Sequence, residues 1–129
     1  MFEVTIEQTF AAGHALRNYH GKCENVHGHN YRCQVTMEGE QLDHVGLLVD
    51  FVALKKAVQV VIDRLDHQWL NDFPPFDVLN PSAENMAKYI YDEVNKGIDA
   101  GPGVHLESVR LWETDTSCAE YREGSGRDA

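Results

Sequence analysis

The sequence predicts an α+β domain in which an antiparallel sheet packs two helices on one face. Three observations lead there. Segments of apolar–polar alternation lie toward both ends of the chain, two stretches with helical apolar spacing lie between them, and 129 residues with 43% apolar composition suit one core rather than two. The expected element order is ββααββ.

The first strand is expected over residues 2–12, where Phe2, Val4 and Ile6 alternate with Glu3, Thr5 and Glu7. A second is expected over residues 27–38: Tyr31, Cys33, Val35 and Met37 share one face, and Gly39 closes the run. In residues 50–65, Phe51, Leu54, Val58, Val61, Ile62 and Leu65 form one helical stripe behind Asp50 as N-cap. The second helix spans 82–97, started by Pro81, capped by Asn80 or Ser82, and turning Ala87, Ile90, Val94 and Ile98 inward. After Gly101-Pro102-Gly103, strands over 104–114 and 118–122 flank the polar turn Asp115-Thr116-Ser117. Residues 1–123 form the domain, and 124–129 read as a flexible tail. With both helices on one face, the other face of the sheet needs a partner.

A formal charge of −10 works against nucleic acid and anionic membranes, which bind through clustered cations. The N-terminal residues lack the basic start and apolar run of a signal peptide, and no stretch is apolar enough to span a bilayer, so a cytoplasmic protein is expected. Three cysteines, an odd number, fit reduced thiols better than a disulfide framework. Cys33 and Cys118 are both expected to pack.

His27 and His29, two apart on a strand, project from the same face and can converge on one ion. His14, at the end of the first strand, is the natural third ligand if the chain returns antiparallel. Three neutral imidazoles on Zn²⁺ leave the metal its full charge and an open fourth position, the pattern of a catalytic site. Taken alone, a His-x-His pair can also be an ordinary surface feature.

Cys23, four residues before His27, is a further metal ligand or a thiolate base, and its spacing does not choose between these. Asp66 can fix the tautomer of His67 and make it a proton carrier; the plainer reading is a polar helix terminus. Glu113 shares strand parity with Val109 and Leu111, so it either grips the amino-amide edge of a heterocycle or reaches solvent at the strand end. Arg17 and Lys22 are the cations nearest in sequence for an anionic substrate, although surface solvation explains either one.

Together the segments Phe10-Ala11-Ala12-Gly13-His14, Cys23-Glu24-Asn25-Val26-His27-Gly28-His29-Asn30-Tyr31, Val49-Asp50-Phe51, Leu65-Asp66-His67, Asn80-Pro81-Ser82-Ala83-Glu84-Asn85 and Glu113-Thr114 resemble the 6-pyruvoyltetrahydropterin synthase family. The resemblance runs from Phe2 to Glu123. It is nearer to the bacterial, queuosine-pathway branch that forms 6-carboxytetrahydropterin, because three residues separate Cys23 from His27, where the pyruvoyl enzymes resemble a version with five.

The resemblance implies the tunnelling fold, in which ββααββ subunits join their sheets into a barrel and two trimers stack as a homohexamer. It implies Zn²⁺ on His14, His27 and His29, and a carbon-carbon lyase acting on 7,8-dihydroneopterin triphosphate with release of acetaldehyde and triphosphate. Cys23 would be the base, His67 oriented by Asp66 the proton relay, and Glu113 both the pterin anchor and a catalytic member of that relay. Ser82 would touch the substrate, although Ala83 stands where relatives carry a second hydroxyl residue. The competing readings are triphosphate elimination to the pyruvoyl product and a non-catalytic zinc- or pterin-binding module.

Overall fold

A computed structural model describes residues 1–18 and 25–123. Strands β1 (Phe2–His14) and β2 (His27–Gly39) precede helices α1 (Phe51–Leu65) and α2 (Ala83–Gly97), and strands β3 (His105–Thr114) and β4 (Ser117–Tyr121) follow. The strands pair antiparallel in the order β1-β2-β3-β4, which is the expected ββααββ arrangement. No helix is long and apolar enough to cross a membrane among the described residues.

Alternation decides which side of the sheet is covered. Ile6, Phe10 and Ala12 of β1 join Tyr31, Cys33, Val35 and Met37 of β2 in one buried cluster. Leu54, Val58, Val61, Ile62 and Leu65 of α1, and Met86, Ala87, Ile90, Tyr91 and Val94 of α2, close over it. The opposite face is polar: Thr5 and Thr36 hydrogen-bond across it at 2.8 Å, and the Arg32 guanidinium lies 4.6 Å from the Trp112 ring centre.

Asp50 caps α1 by accepting from the Val52 N–H at 2.8 Å, and Ser82, rather than Asn80, caps α2 by accepting from the Asn85 N–H at 3.2 Å. Two packing expectations are corrected, and a third is met in part. Phe51, at the first position of α1, is 50% exposed, and the buried stripe of the helix begins only at Leu54. Ile98 packs against the core as expected, though only partly buried and from just beyond α2, as its C-cap. Cys118 is exposed on the short outermost strand β4 and does not pack.

β1 runs two residues further than expected, to His14, and its free edge is covered at that end. The His67 N–H donates to the Ala11 carbonyl at 2.6 Å and the Gly13 N–H to the Gln68 carbonyl at 3.1 Å, so the segment after α1 pairs with β1 in parallel. Gly13 permits this close approach: a Cβ there would stand 3.2 Å from the Trp69 ring.

Candidate metal and substrate site

The β1–β2 register sets His14 directly opposite His27 and Ala12 opposite His29. Even positions of β1 and odd positions of β2 share the helix-covered face, so all three imidazoles meet at one end of the core. His14 is 1% exposed. Its Nδ1 lies 2.6 Å from the Pro81 carbonyl, which can only accept, so Nδ1 carries the proton and Nε2 a lone pair. His27 repeats the arrangement, with Nδ1 2.7 Å from the Asn25 carbonyl. The two Nε2 atoms then face each other at 2.9 Å, where two lone pairs repel unless a cation lies between them.

Glu113 completes the group. Its Oε1 stands 2.8 Å from His29 Nε2, 3.3 Å from His14 Nε2 and 4.0 Å from His27 Nε2. All four ligand atoms lie within 4.8 Å of one another. Zn–N bonds of about 2.0–2.1 Å give a tetrahedron with edges of about 3.3–3.4 Å, so these separations suit an ion of that size. Despite its nearness to Glu113, buried His29 Nε2 has no hydrogen-bond partner among the described residues. Two tautomers fixed for ligation, an orphaned buried nitrogen and a carboxylate make a donor set that fits a divalent transition metal.

Burial, the largest influence, and the neighbouring imidazoles lower the pKa of His29, while Glu113 pushes it the other way. Its native value therefore lies below the ordinary 6.5, and native protein takes up this proton later than the unfolded chain does. The stabilisation is complete above about 6.5 and is lost as pH falls through the lower native value. Protons would compete with a metal for the same lone pair, so metal loaded onto this cluster should be retained on dialysis near about pH 7.5 and released by about pH 5.

Asp66 ends α1, and its Oδ1 accepts from the Ala11 N–H at 3.0 Å while lying 3.0 Å from His67 Nδ1. The Ala11 N–H, more than His67, holds the Asp66 carboxyl below its usual range. A carboxylate at Nδ1 leaves His67 Nε2 as the basic nitrogen. His67 adopts φ 59, a left-handed conformation rare outside glycine, and its side chain is 81% exposed. The pair lies outside the His14–His27–His29–Glu113 cluster, yet His67 and His29 line one cavity of about 490 Å³.

Glu113 borders a second cavity of about 390 Å³ with Ala83, Glu84 and Cys118. Ser82 lines neither cavity, and its oxygen serves the α2 cap. The Arg17 guanidinium donates to the carbonyls of Phe76 at 2.7 Å, Asn71 at 3.1 Å and Leu79 at 3.2 Å, so it fastens the 71–80 loop instead of standing ready for an anion. Asn71 exchanges two hydrogen bonds with the Ala15 backbone and Asn80 two with the Arg17 backbone, fixing the chain just after His14. Cys23 and Lys22 lie outside the described residues, as does the 124–129 tail. Cys33 is buried as expected, and burial pushes its thiol up to about 12, which suits packing and not chemistry.

A family model described as 6-pyruvoyl tetrahydropterin synthase matches residues 3–124. The 6-carboxy-5,6,7,8-tetrahydropterin synthase of Bacillus subtilis is 36% identical over 136 residues, covering 97% of this chain and 88% of its own. The 6-pyruvoyl tetrahydrobiopterin synthase of Pongo abelii is 37% identical over 106 residues, 79% of this chain and 71% of its own. Among solved structures, the 6-pyruvoyl tetrahydropterin synthase of Caenorhabditis elegans superimposes with a TM-score of 0.83 at 31% identity, covering 96% of this chain and 98% of that one.

Proposed function

Because this chain belongs to the 6-pyruvoyl tetrahydropterin synthase family, we propose that it is a zinc-dependent carbon-carbon lyase. In this reading 7,8-dihydroneopterin triphosphate and water give 6-carboxy-5,6,7,8-tetrahydropterin, acetaldehyde and triphosphate. The observations that carry the reading are the convergence of His14, His27 and His29 and, in the sequence, a cysteine four positions before His27. The first part supports metal chemistry, and the second supports the carboxy product.

Each residue then has a task that its surroundings favour. The carbonyls of Pro81 and Asn25 hold His14 and His27 in the tautomer that presents Nε2. A zinc ion on the three imidazoles would supply Lewis acidity toward the substrate's side-chain oxygens. Cys23, as thiolate, takes a proton from the substrate carbon skeleton, and His67, oriented by Asp66, passes protons through Nε2. Glu113 accepts two parallel hydrogen bonds from the amino-amide edge of the pterin, a grip supported by the cavity it borders. Ser82 keeps a hydroxyl proton to donate toward the substrate from the start of α2. The same reading assembles the subunits as a homohexamer of two stacked trimers, their sheets joined into a barrel.

A second reading, elimination of triphosphate to 6-pyruvoyltetrahydropterin, is favoured by the Pongo abelii relative, whose identity to this chain is as high. Both readings require metal. Chelator-stripped protein should leave 7,8-dihydroneopterin triphosphate intact and recover turnover with added Zn²⁺. Cys23→Ala should bind zinc and fold normally while turnover falls at least about 100-fold, as loss of a general base does. Turnover by stripped protein would overturn the metal reading, and retained turnover in Cys23→Ala would overturn its role as base.

A further inference from the structure

We propose a second divalent-metal site at the opposite end of the sheet, formed by Glu38, His105 and Glu107. Glu38 and His105 are direct cross-strand partners on β2 and β3. Glu107, two residues further on, lies on the same polar face, beside a bulge where Thr36 pairs with Ser108 but Met37 with Leu106. The bulge leaves Glu107 as the additional residue of β3.

The donor atoms converge on one ring nitrogen. His105 Nε2 is 3.3 Å from Glu38 Oε1 and 3.6 Å from Glu107 Oε2, and the three ligand atoms lie within 4.8 Å of one another. These separations again match the edge of about 3.3–3.4 Å expected between ligands of a tetrahedral ion. The His105 side chain is 36% exposed, yet its Nε2 atom is buried and has no hydrogen-bond partner among the described residues. Arg122 approaches Glu107 at 3.7 Å through the other carboxylate oxygen, Oε1.

Two carboxylates balance the charge of a divalent ion, and an imidazole nitrogen selects Zn²⁺ or a similar transition ion over Mg²⁺ or Ca²⁺. Three protein ligands on a partly exposed face leave water to complete the coordination. Glu38 and His29 lie nine positions apart on β2, roughly 30 Å along the strand, so the two sites load independently. The ion would tie β2 to β3 where the bulge interrupts their ladder. The alternative occupant of the same convergence is a proton on His105, which gives a different stoichiometry.

Equilibrium dialysis of the full chain against Zn²⁺, with metal analysis, separates these cases. The wild type should bind two equivalents per chain, His105→Ala and Glu107→Gln one each, His27→Ala one, and the His27→Ala/His105→Ala double variant none. Circular dichroism verifies the fold of each variant, and Glu107→Gln retains the side-chain shape where His105→Ala perturbs the strand. One equivalent in the wild type that persists in folded His105→Ala and Glu107→Gln, or two equivalents in those variants, would overturn the second site. Two equivalents in His27→Ala would instead contradict the histidine cluster and leave this site standing.

Discussion

His27→Ala protein should fold, bind one equivalent of zinc fewer than the wild type, and show no measurable turnover of 7,8-dihydroneopterin triphosphate. His27 sits at the first position of β2, partly exposed, so its loss removes little buried apolar surface. It does remove one of two nitrogens that face each other at 2.9 Å with their tautomers fixed by backbone carbonyls. Losing a partner that merely orients a ligand costs about 10–100-fold in metal affinity, and losing the ligand itself costs more. Metal analysis and an activity assay on the same sample check both effects. Full activity without cluster metal would separate the histidines from the chemistry.

Glu113→Gln should keep the cluster metal and lose catalytic efficiency. A carboxylate accepts two parallel hydrogen bonds from an amino-amide edge, whereas a glutamine amide offers one acceptor and sets its NH₂ against a donor. Losing one charge-assisted bond and stranding one donor costs roughly 2–4 kcal/mol, about 30- to 1,000-fold in kcat/KM. Metal content is the necessary companion measurement, because Glu113 Oε1 also lies 2.8 Å from His29 Nε2 and 3.3 Å from His14 Nε2. If zinc is lost along with efficiency, Glu113 is a fourth ligand and not the anchor.

The convergence of three of the four cluster members was legible in the sequence because strand periodicity needs only residue type and spacing. His27 and His29 lie two apart, and the alternation of β1 carries His14 onto the same face. The apolar parity of Val109 and Leu111 likewise put Glu113 on the covered side of β3, although nothing local revealed that it reaches all three imidazoles. That meeting depends on the order of strands across the sheet.

The supports of the site were not legible. The groups that set the tautomers of His14 and His27 are main-chain carbonyls of Pro81 and Asn25, which any residue supplies. Arg17 looked available to an anion because a sequence does not show that three carbonyls of the 71–80 loop surround its guanidinium. Phe51 fits the helical stripe of α1 by spacing, yet it lies in the exposed first turn, since periodicity gives a face but not where that face meets the core. The β3 bulge beside Glu107 is set by pairing with β2, and no local pattern announces it.

The most direct measurement is mass spectrometry of the products formed when zinc-loaded protein meets 7,8-dihydroneopterin triphosphate, beside a chelator-treated control. Zinc-dependent 6-carboxytetrahydropterin with an equal amount of acetaldehyde is the expected result. 6-Pyruvoyltetrahydropterin without acetaldehyde would contradict the carbon-carbon cleavage, and no product from folded, zinc-loaded protein would contradict catalysis altogether.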